Sequence, residues 1–397
     1  MPNRNECRTR GPERPPYLLE GDFFVKFRSL LSAACWVCGL AGLAAAETPD
    51  PNAAHTDSLN RAVLWNDVVR FATLSRVDDV AFTAAGRNIV TPVDIVWALA
   101  DSTHDLVAVA ARPITGTAEA GEEMGRRGAQ LLRAPVALHV GMSGSFVLEK
   151  SGRLVVFRGG AVVDSIALAT TASAPRDVFV SATGLVYILT TTDVRVFADP
   201  PGAAPLWTIA LPPALVPAVA CAVSARGEVF VAGEGKTALA VYDLDATGTY
   251  RKLRQATRVA LGVDRVAGLT LLPALLLPIE GREGWVSEDR YVLLSDRGKR
   301  MLVTLDVPAL HVVGRADLAV ETPGLVPGRL DVSNRGQIAL ADAATGQAYS
   351  LPTRILASTL AGAPIRWRQI GTLSPPTDAP GPAADSSHSV VNPGRKP

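Results

Sequence analysis

The run at 141–145, Gly-Met-Ser-Gly-Ser, is the segment that comes closest to a catalytic motif. It suggests the G-x-S-x-G turn that presents a nucleophilic serine, but Ser145 stands where that motif ends in glycine. The motif also requires a helix after the turn, whereas the residues after Ser145 have the pattern of a strand. We therefore interpret this run as a hairpin turn.

Histidine and cysteine spacings predict no metal or redox centre. The four histidines beyond residue 60 are scattered: His104, His139, His311 and His388. None stands at ligand spacing from another or beside a carboxylate cluster. Cys221 lies in an apolar run and is typical of a small core residue, while Cys7, Cys35 and Cys38 all precede residue 46. No phosphate-binding glycine loop or dinucleotide fingerprint is present.

An internal repeat organises the rest of the chain. Four segments share a leading proline, an alternating apolar strand and a glycine turn: 135–144, 175–184, 217–227 and 327–336. Three of the turns read Ser-x-x-Gly, beginning at Ser181, Ser224 and Ser333, and each is followed by another strand. Strand, tight turn and strand form one hairpin of a propeller blade.

A second set of polar turns sets the number of units. These turns fall near Ser102, Lys150, Thr191, Glu234, Arg297 and Ala344. The longest spacing contains an insertion between Pro273 and Glu288. Because a unit of three or four strands cannot bury its own faces, a closed ring is favoured. The sequence therefore predicts an all-β fold with a six-bladed β-propeller over residues 61–372.

Two segments carry a resemblance to a known repeat family. Residues 177–187, Asp-Val-Phe-Val-Ser-Ala-Thr-Gly-Leu-Val-Tyr, resemble the opening of an NHL-type propeller repeat, and 294–303 resembles its later Asp-to-Arg hairpin. The resemblance implies a fold rather than an activity. The turn at 342–347 also resembles that of PQQ-like propeller repeats, which would imply eight blades.

Carboxylates are the remaining candidates for chemistry, since six-bladed lactonases and related esterases hold a divalent cation in the channel. Asp177 and Asp331 lie near corresponding strand starts, where we expect them to bond the backbone rather than a metal. Asn88 and Asn334 are the candidate asparagine ligands inside the repeats. We predict no metal and no cofactor; the alternative is a divalent cation such as Ca²⁺.

The insertion is the most distinctive local feature. An apolar stretch at 269–277 leads into a charged segment that we predict to be a flexible loop, with Arg282 and Trp285 as a candidate interaction loop. The alternative is that it packs over one end of the ring. We predict a mobile excursion or short helix at 111–130, an outer strand of the last blade at 366–370, and pairing with that blade by 63–65 or 68–71.

The N-terminus predicts export. Lys26 and Arg28 precede an uncharged run at 29–46 that ends in three alanines, which is typical of a signal peptide cleaved before Glu47. We assign 1–24 to a mis-annotated leader, 25–46 to the signal, 47–60 to a disordered linker and 373–397 to a disordered tail. The protein would be periplasmic or secreted, without a stable membrane span after cleavage; the alternative is an anchor at 29–46.

Charge and composition narrow the function. With 39 basic and 38 acidic residues the net charge is +1, so nucleic acid is not an expected partner. We predict a non-catalytic exported module that binds an envelope or secreted protein, or a small ligand. The alternative is a metal-dependent hydrolase, lactonase-like or esterase-like, with its cation in the central channel.

Overall fold

The computed structural model describes most of the predicted propeller region. The described residues are 69–70, 77–82, 96–101, 106–111, 119–124, 132–141, 144–158, 161–167, 173–198, 204–279, 282–334 and 336–369. Their strands form six four-stranded antiparallel sheets and one three-stranded sheet. The signal, leader, linker and tail predictions lie outside the described residues.

The four-stranded sheets are the blades, numbered in chain order. Blade 1 contains β2 (Val77–Phe82), β3 (Val96–Asp101), β4 (Leu106–Ala111) and β5 (Glu119–Met124). Blade 2 contains β6 (Pro135–Gly141), β7 (Gly144–Glu149), β8 (Arg153–Arg158) and β9 (Ala161–Ala167). Blade 3 contains β10 (Pro175–Val180), β11 (Val186–Thr190), β12 (Asp193–Phe197) and β13 (Trp207–Ala210).

The other three blades follow the same order, except that two of them recruit distant strands. Blade 4 contains β14 (Ala218–Val223), β15 (Val229–Gly233), β16 (Thr237–Leu244) and β17 (Tyr250–Thr257). Blade 5 contains β18 (Val266–Leu271), β21 (Tyr291–Asp296), β22 (Met301–Asp306) and β23 (Val312–Asp317). Blade 6 contains β24 (Pro327–Val332), β25 (Ile338–Asp342), β26 (Ala348–Leu351) and β1 (Val69–Arg70).

The first strand of each blade lies at the centre of the ring. These inner strands contact one another in the order β2, β6, β10, β14, β18 and β24, and β24 contacts β2. The described residues therefore close a six-bladed ring, which confirms the predicted all-β propeller. The predicted positions of the second turns are also confirmed, since each falls between the second and third strand of its blade.

Burial explains why the second strands are almost wholly apolar. All residues of β11, β15, β21 and β25 are buried, because a second strand is covered on both faces by the neighbouring blades. The outer strands β13, β17 and β23 each contain exposed residues and only one buried residue. Aliphatic and aromatic side chains from adjacent blades share common clusters, such as Phe146 of blade 2 with Ile188 and Phe197 of blade 3.

The three Ser-x-x-Gly turns are structurally identical. In blade 3, the Gly184 N–H donates to the Ser181 carbonyl (3.0 Å) and the Leu185 N–H to the Ser181 Oγ (3.1 Å). The same two bonds recur from Ser224 and from Ser333, at 2.9 and 3.1 Å and at 3.0 and 3.1 Å. Each glycine has a positive φ, between 74° and 87°. The repeated pattern therefore encodes a turn that requires glycine.

The ring closes on a strand from the N-terminal side. Val69 pairs with Ser350 and Arg70 with Tyr349, so β1 is the outer strand of blade 6. This confirms the predicted pairing by 68–71. The prediction that 366–370 supplies the outer strand is wrong: β27 (Arg366–Gln369) pairs with the insertion instead. The chain leaves blade 6 through helix α3 (Thr353–Thr359), which packs on β23 of blade 5 and carries β27 away from β26.

The insertion is a hairpin rather than a loop. Strands β19 (Leu275–Ile279) and β20 (Arg282–Val286) pair with each other, and β27 completes a three-stranded sheet. Leu275, Leu277 and Val286 are buried in a cluster with Ile355 of α3. This arrangement matches the expectation that the segment packs against the ring, and it contradicts the flexible loop.

The prediction of an excursion or short helix at 111–130 is wrong for the part that is described. Residues 119–124 form β5, which pairs with β4 from Ala111↔Glu119 to Val107↔Met124. A polar outer strand has only one neighbour in its sheet, so its sequence lacks the apolar alternation used for prediction.

The two short helices are α1 (Arg258–Leu261) and α2 (Leu318–Glu321), and no described helix is long and apolar enough to cross a membrane.

Two of the three Ser-x-x-Gly turns, at Gly227 and Gly336, allow a matched comparison of stability. A Cβ on Gly227 would meet nothing within 4 Å, so Gly227→Ala carries only the cost of its positive φ, about 1–2 kcal/mol. A Cβ on Gly336 would lie 2.7 Å from Leu277 Cδ2 and 3.1 Å from Thr353 Cγ2. We expect Gly336→Ala to lower the free energy of unfolding by clearly more than Gly227→Ala in urea titrations. Equal losses would contradict the packing of the insertion against blade 6.

Candidate functional site: the central channel

The inner strands surround a narrow channel lined by all six blades. Every blade contributes polar or ionisable side chains to its lining: Asp79, His139, Asp177, Cys221 and Thr270 from blades 1 to 5, and Arg329 and Asp331 from blade 6. The space that water could fill is about 50 Å³. A water molecule needs roughly 10–15 Å³ on this measure, so the channel has room for only a few.

Arg329 occupies the centre of this channel. Its side chain is 15% exposed, and its Nη1 lies 2.6 Å from Asp177 Oδ1. Its Nη2 donates to the Val219 carbonyl at 3.0 Å and also to the Arg176 carbonyl. The side chain therefore reaches from blade 6 across the ring to blades 3 and 4. The planar guanidinium can serve several acceptors at once, which an ammonium group does less well.

The two carbonyls that Arg329 binds belong to bulges. The register of every inner strand shifts close to its first residue, for example between Pro175 and Asp177 and between Ala218 and Ala220. Arg176 and Val219 are the extra residues in blades 3 and 4. A bulge breaks the regular pairing and turns backbone groups out of the ladder. Here it makes two carbonyls available to the guanidinium.

Asp79 and Asp177 use their carboxylates in the same way. Asp177 accepts the N–H of Val178 at 3.0 Å and that of Cys221, in the next blade, at 2.8 Å. Asp79 accepts the N–H of Val80 at 2.9 Å and that of Leu138, also in the next blade, at 2.8 Å. Each aspartate follows the bulge of its strand. They join blade 1 to blade 2 and blade 3 to blade 4.

Blade 5 has glycine at the corresponding position. A Cβ on Gly268 would lie 2.7 Å from the Gly328 carbonyl and 3.0 Å from Arg329 Cα. The blade 5 to blade 6 contact is instead made by Ser295, whose hydroxyl donates to the Gly328 carbonyl at 2.5 Å. The missing side chain leaves room for the strand that carries Arg329.

No protein-family model and no curated protein matches the chain. Among solved structures, the β-propeller domain of Cps50 (Swd1) from Myceliophteria thermophila is similar at 9% identity, with a TM-score of 0.48. The alignment covers 71% of this chain and 97% of that domain.

Burial dominates the electrostatics of the channel. It raises the pKa of Asp79 from its ordinary 3.8 to about 7, although Arg329 acts in the opposite direction. It also raises the pKa of Asp177, again against the effect of Arg329. The pKa of the Cys221 thiol is raised well above its usual range by burial and by the nearby Asp177. Cys221 is buried and therefore held as the unreactive thiol, which confirms its prediction as a core residue.

The other candidate carboxylate behaves as the sequence suggested. Asp331 Oδ1 accepts the N–H of Val332 at 2.9 Å and the hydroxyl of Thr270 at 3.2 Å. Asn334 lies in the Ser-x-x-Gly turn of blade 6, where its backbone carbonyl accepts the Leu276 N–H. Asn88 lies outside the described residues. Within the described part of the chain, no group of three or more His, Cys, Asp or Glu side chains is arranged to hold a metal ion.

The remaining predicted residues are dispersed. His139 is buried on β6, with its ring centroid 4.4 Å from that of Phe179, and His311 is exposed before β23. His104 and His388 lie outside the described residues. Gly141 and Gly144 face each other where β6 passes into β7, so a strand follows the Gly-Met-Ser-Gly run and the hairpin interpretation is confirmed.

The candidate interaction residues lie away from the channel. Arg282 and Trp285 belong to β20 of the additional sheet and are absent from the described channel lining. Trp285 is 48% exposed, while its neighbour Val286 points into the core. Asp79 and Arg329 were not predicted as site residues. The available signal was the presence of charged residues in inner strands that are mainly apolar in blades 2 and 4.

Removal of the guanidinium is the first test of this arrangement. Arg329→Met leaves Asp177 buried without its cation, and we expect the free energy of unfolding to fall by about 3–5 kcal/mol. The double variant Arg329→Met with Asp177→Asn removes the charge as well and should recover part of that loss. Urea titrations of the wild type, both single variants and the double variant measure the coupling. If the stability losses of the two single variants simply add in the double variant, Arg329 and Asp177 do not form an energetically coupled pair.

The raised pKa of Asp79 predicts a pH dependence. The folded state holds this proton up to about pH 7, whereas the unfolded chain releases it near 3.8. The stability contributed by this group is thus fully present below about pH 4 and is lost as the pH rises through 7. Asp79→Asn removes the effect, so from pH 4 to pH 8 the variant should gain up to about 4 kcal/mol relative to the wild type.

Asp245 supplies a control of opposite sign. Its pKa is lowered, chiefly by the hydroxyl of Thr247 and then by the N–H of Thr249. Asp245→Asn should therefore lose stability relative to the wild type as the pH rises through the acidic range. Thermal melts from about pH 2 to pH 8 compare the two variants, because the contribution of Asp245 develops around and below pH 4. Drifts in the same direction would contradict the buried position of Asp79.

Proposed function

We propose that the chain is an exported, non-catalytic module that binds a protein of the envelope or the extracellular space. The observation that carries the proposal is the occupied channel. Pockets for small molecules enclose roughly 300–1,000 Å³, whereas this channel offers about 50 Å³ around a guanidinium already bonded to Asp177. An outer surface is therefore the better place for recognition.

The linker face is the surface that fits this role best. We define it as the end of the ring that carries the segments leading from the outer strand of one blade to the inner strand of the next. Helix α1 lies in the segment between blades 4 and 5, and α2 lies in the corresponding segment between blades 5 and 6. Val259 of α1 is 91% exposed and Val320 of α2 is 74% exposed. The preceding segment, between blades 3 and 4, exposes Pro213 and Ala214.

Equivalent positions on successive linkers give this surface its significance. A single exposed aliphatic side chain is ordinary, but apolar groups repeated on one face are typical of interaction surfaces. The helix that presents Val259 is well defined. Thr257 Oγ1 accepts the Ala260 N–H at 3.2 Å at one end, and Gly262 adopts a left-handed conformation at the other. The valine is thus held outward by a capped turn.

Two finer elements of the proposal come from the sequence. The signal-like run at 29–46 supports export to the periplasm or beyond. The three identical Ser-x-x-Gly turns support a relationship with NHL-type repeats, since both the residues and the hydrogen bonds recur from blade to blade. Propellers of this kind serve many unrelated functions, so the linker face rather than the fold must identify the partner.

The experiment is native mass spectrometry of the protein purified from its own host's envelope without added metal. We expect a chain that begins at Glu47 and carries a second protein. Val259→Asp with Val320→Asp should lose that protein, because both changes put a charge into the apolar contact. Leu253→Asp is the matched control: Leu253 is 51% exposed on the outer strand β17, and its change should leave the complex intact.

Other outcomes would overturn the proposal. A partner that survives the double valine change would place recognition elsewhere, with Arg282 and Trp285 as the next surface. A chain that carries one divalent cation and no protein, and that loses thermal stability on chelation, would favour the hydrolase alternative. A mass that includes residues 29–46 would favour the membrane-anchored form.

A further inference from the structure

Basic residues lie on helix α1 and the segment that follows it, on a hairpin turn in each of blades 4 and 5, and on β23. We call these residues the cationic collar: Lys236, Arg258, Arg265, Arg297, Lys299 and Arg315. Backbone hydrogen bonds hold Arg258 beside Lys236 (3.0 Å) and Arg297 beside Arg265 (2.9 Å). The collar is therefore built by the fold.

Two members of the collar bind the end of α1. Lys299 Nζ donates to the Gly262 carbonyl at 2.6 Å, and Arg315 Nη2 donates to the Leu261 carbonyl at 2.9 Å. Cations favour the C-terminal end of a helix, where the carbonyls lack partners. Arg258 Nη1 similarly donates to the Asp264 carbonyl at 2.7 Å. These bonds use backbone oxygens, so they leave the positive charges uncompensated.

The local acidic groups do not balance the collar. Glu234 is shared by Arg265, at 3.2 Å, and Arg297. Asp264 is exposed nearby, and Asp296 is buried beneath, where it accepts the N–H groups of Asp264 and Arg265 at 2.7 and 2.8 Å. Six cations thus face three carboxylates.

Helix α2 provides the contrast within the same fold. It exposes Val320 much as α1 exposes Val259, but the two cations beside it, Arg300 and Arg354, are matched in number by two carboxylates, Asp317 and Glu321. The excess of positive charge therefore lies at the α1 end of the linker face. A partner that lies across both helices would therefore meet the cations of the collar only at the end that contacts α1.

We propose that α1 and the cationic collar bind an acidic segment of the partner protein, with an apolar side chain on Val259 and carboxylates on the surrounding cations. This inference rests on the proposed function and specifies the chemistry of its partner. The exposed valine at the centre favours a protein over a phosphate backbone or a lipid surface. The net charge of +1 for the whole chain also provides no extended field for either polyanion.

The test uses a fluorescent peptide of about 15 residues that repeats Glu-Leu-Asp, with a Gln-Leu-Asn peptide as its neutral counterpart. Fluorescence anisotropy at about 50 mM salt should show binding of the acidic peptide only, weakened at about 200 mM salt. Lys299→Glu and Lys236→Glu should each weaken binding about tenfold or more, since each reverses a charge in the contact. Val259→Asp should weaken it comparably.

Lys252→Glu is the matched control, because Lys252 is also an exposed lysine but lies on β17 of blade 4, outside the collar. It should change the dissociation constant less than about twofold. Thermal melts of all variants exclude unfolding as the cause of a loss, which matters most for Lys299 since it caps α1. Equal weakening by Lys252→Glu and Lys299→Glu would overturn the collar as a specific site.

Two further probes separate this inference from its alternatives and from the proposed function. Single-stranded DNA of about 15 nucleotides, or phosphatidylserine vesicles, bound with the same dependence on Val259 and Lys299 would overturn the assignment to a protein segment. An absence of peptide binding, with the envelope partner still lost on Val259→Asp and Val320→Asp, would overturn the acidic chemistry while the binding module stands. If the acidic peptide does not bind and the envelope partner is also retained by the Val259→Asp, Val320→Asp variant, both the acidic chemistry and the proposed binding module at the linker face are overturned.

Discussion

The ion pair between Arg329 and Asp177 is the contact on which the centre of the ring depends. Each inner strand has one edge paired with its own blade and another that faces the channel, where N–H groups need acceptors. Asp79 and Asp177 supply acceptors to the next blade through Leu138 and Cys221. Buried carboxylates in turn require a cation, and Arg329 supplies it from across the ring. One structural need thus leads to the next.

This solution is not six-fold symmetric. Blades 1 and 3 carry an aspartate after the bulge, blades 2 and 4 carry Ala137 and Ala220, and blade 5 carries Gly268. A third aspartate in blade 5 would add negative charge and would occupy the space beside Arg329 Cα. Glycine at this position instead leaves room for the strand that carries Arg329, the cation that pairs with Asp177. The channel is consequently a polar core that joins the blades.

Local sequence patterns were sufficient to predict the blades, because the residues of each hairpin determine its turn and its strands. The Ser-x-x-Gly turn at Ser181 forms the same bonds as those at Ser224 and Ser333, independently of what surrounds it. The fate of 366–370 could not be predicted in the same way. An outer strand is specified mainly by the edge it meets, and α3 brings β27 to β20 rather than to β26.

Asp177 could be located from the sequence, but its partners could not. Its N–H donor in blade 4 is 44 residues away along the chain, and its cation is farther still. Whether a charged residue is buried depends on how the ring closes. The pattern of residues along one strand does not contain that information. The same limit applies to the cationic collar. Its members come from a hairpin turn in each of blades 4 and 5, from the segment between these blades and from the outer strand of blade 5.

The inter-blade segments are the part of the fold that is least constrained by the ring. Inner strands must meet at the axis and second strands must be apolar on both faces, whereas a linker need only connect the end of one blade to the start of the next. Linkers α1 and α2 satisfy that requirement with similar short helices and different surroundings, which are basic around Val259 and balanced in charge around Val320. A difference of charge at equivalent positions is therefore not imposed by the architecture. It is the kind of variation that a surface acquires when it must distinguish one partner from another.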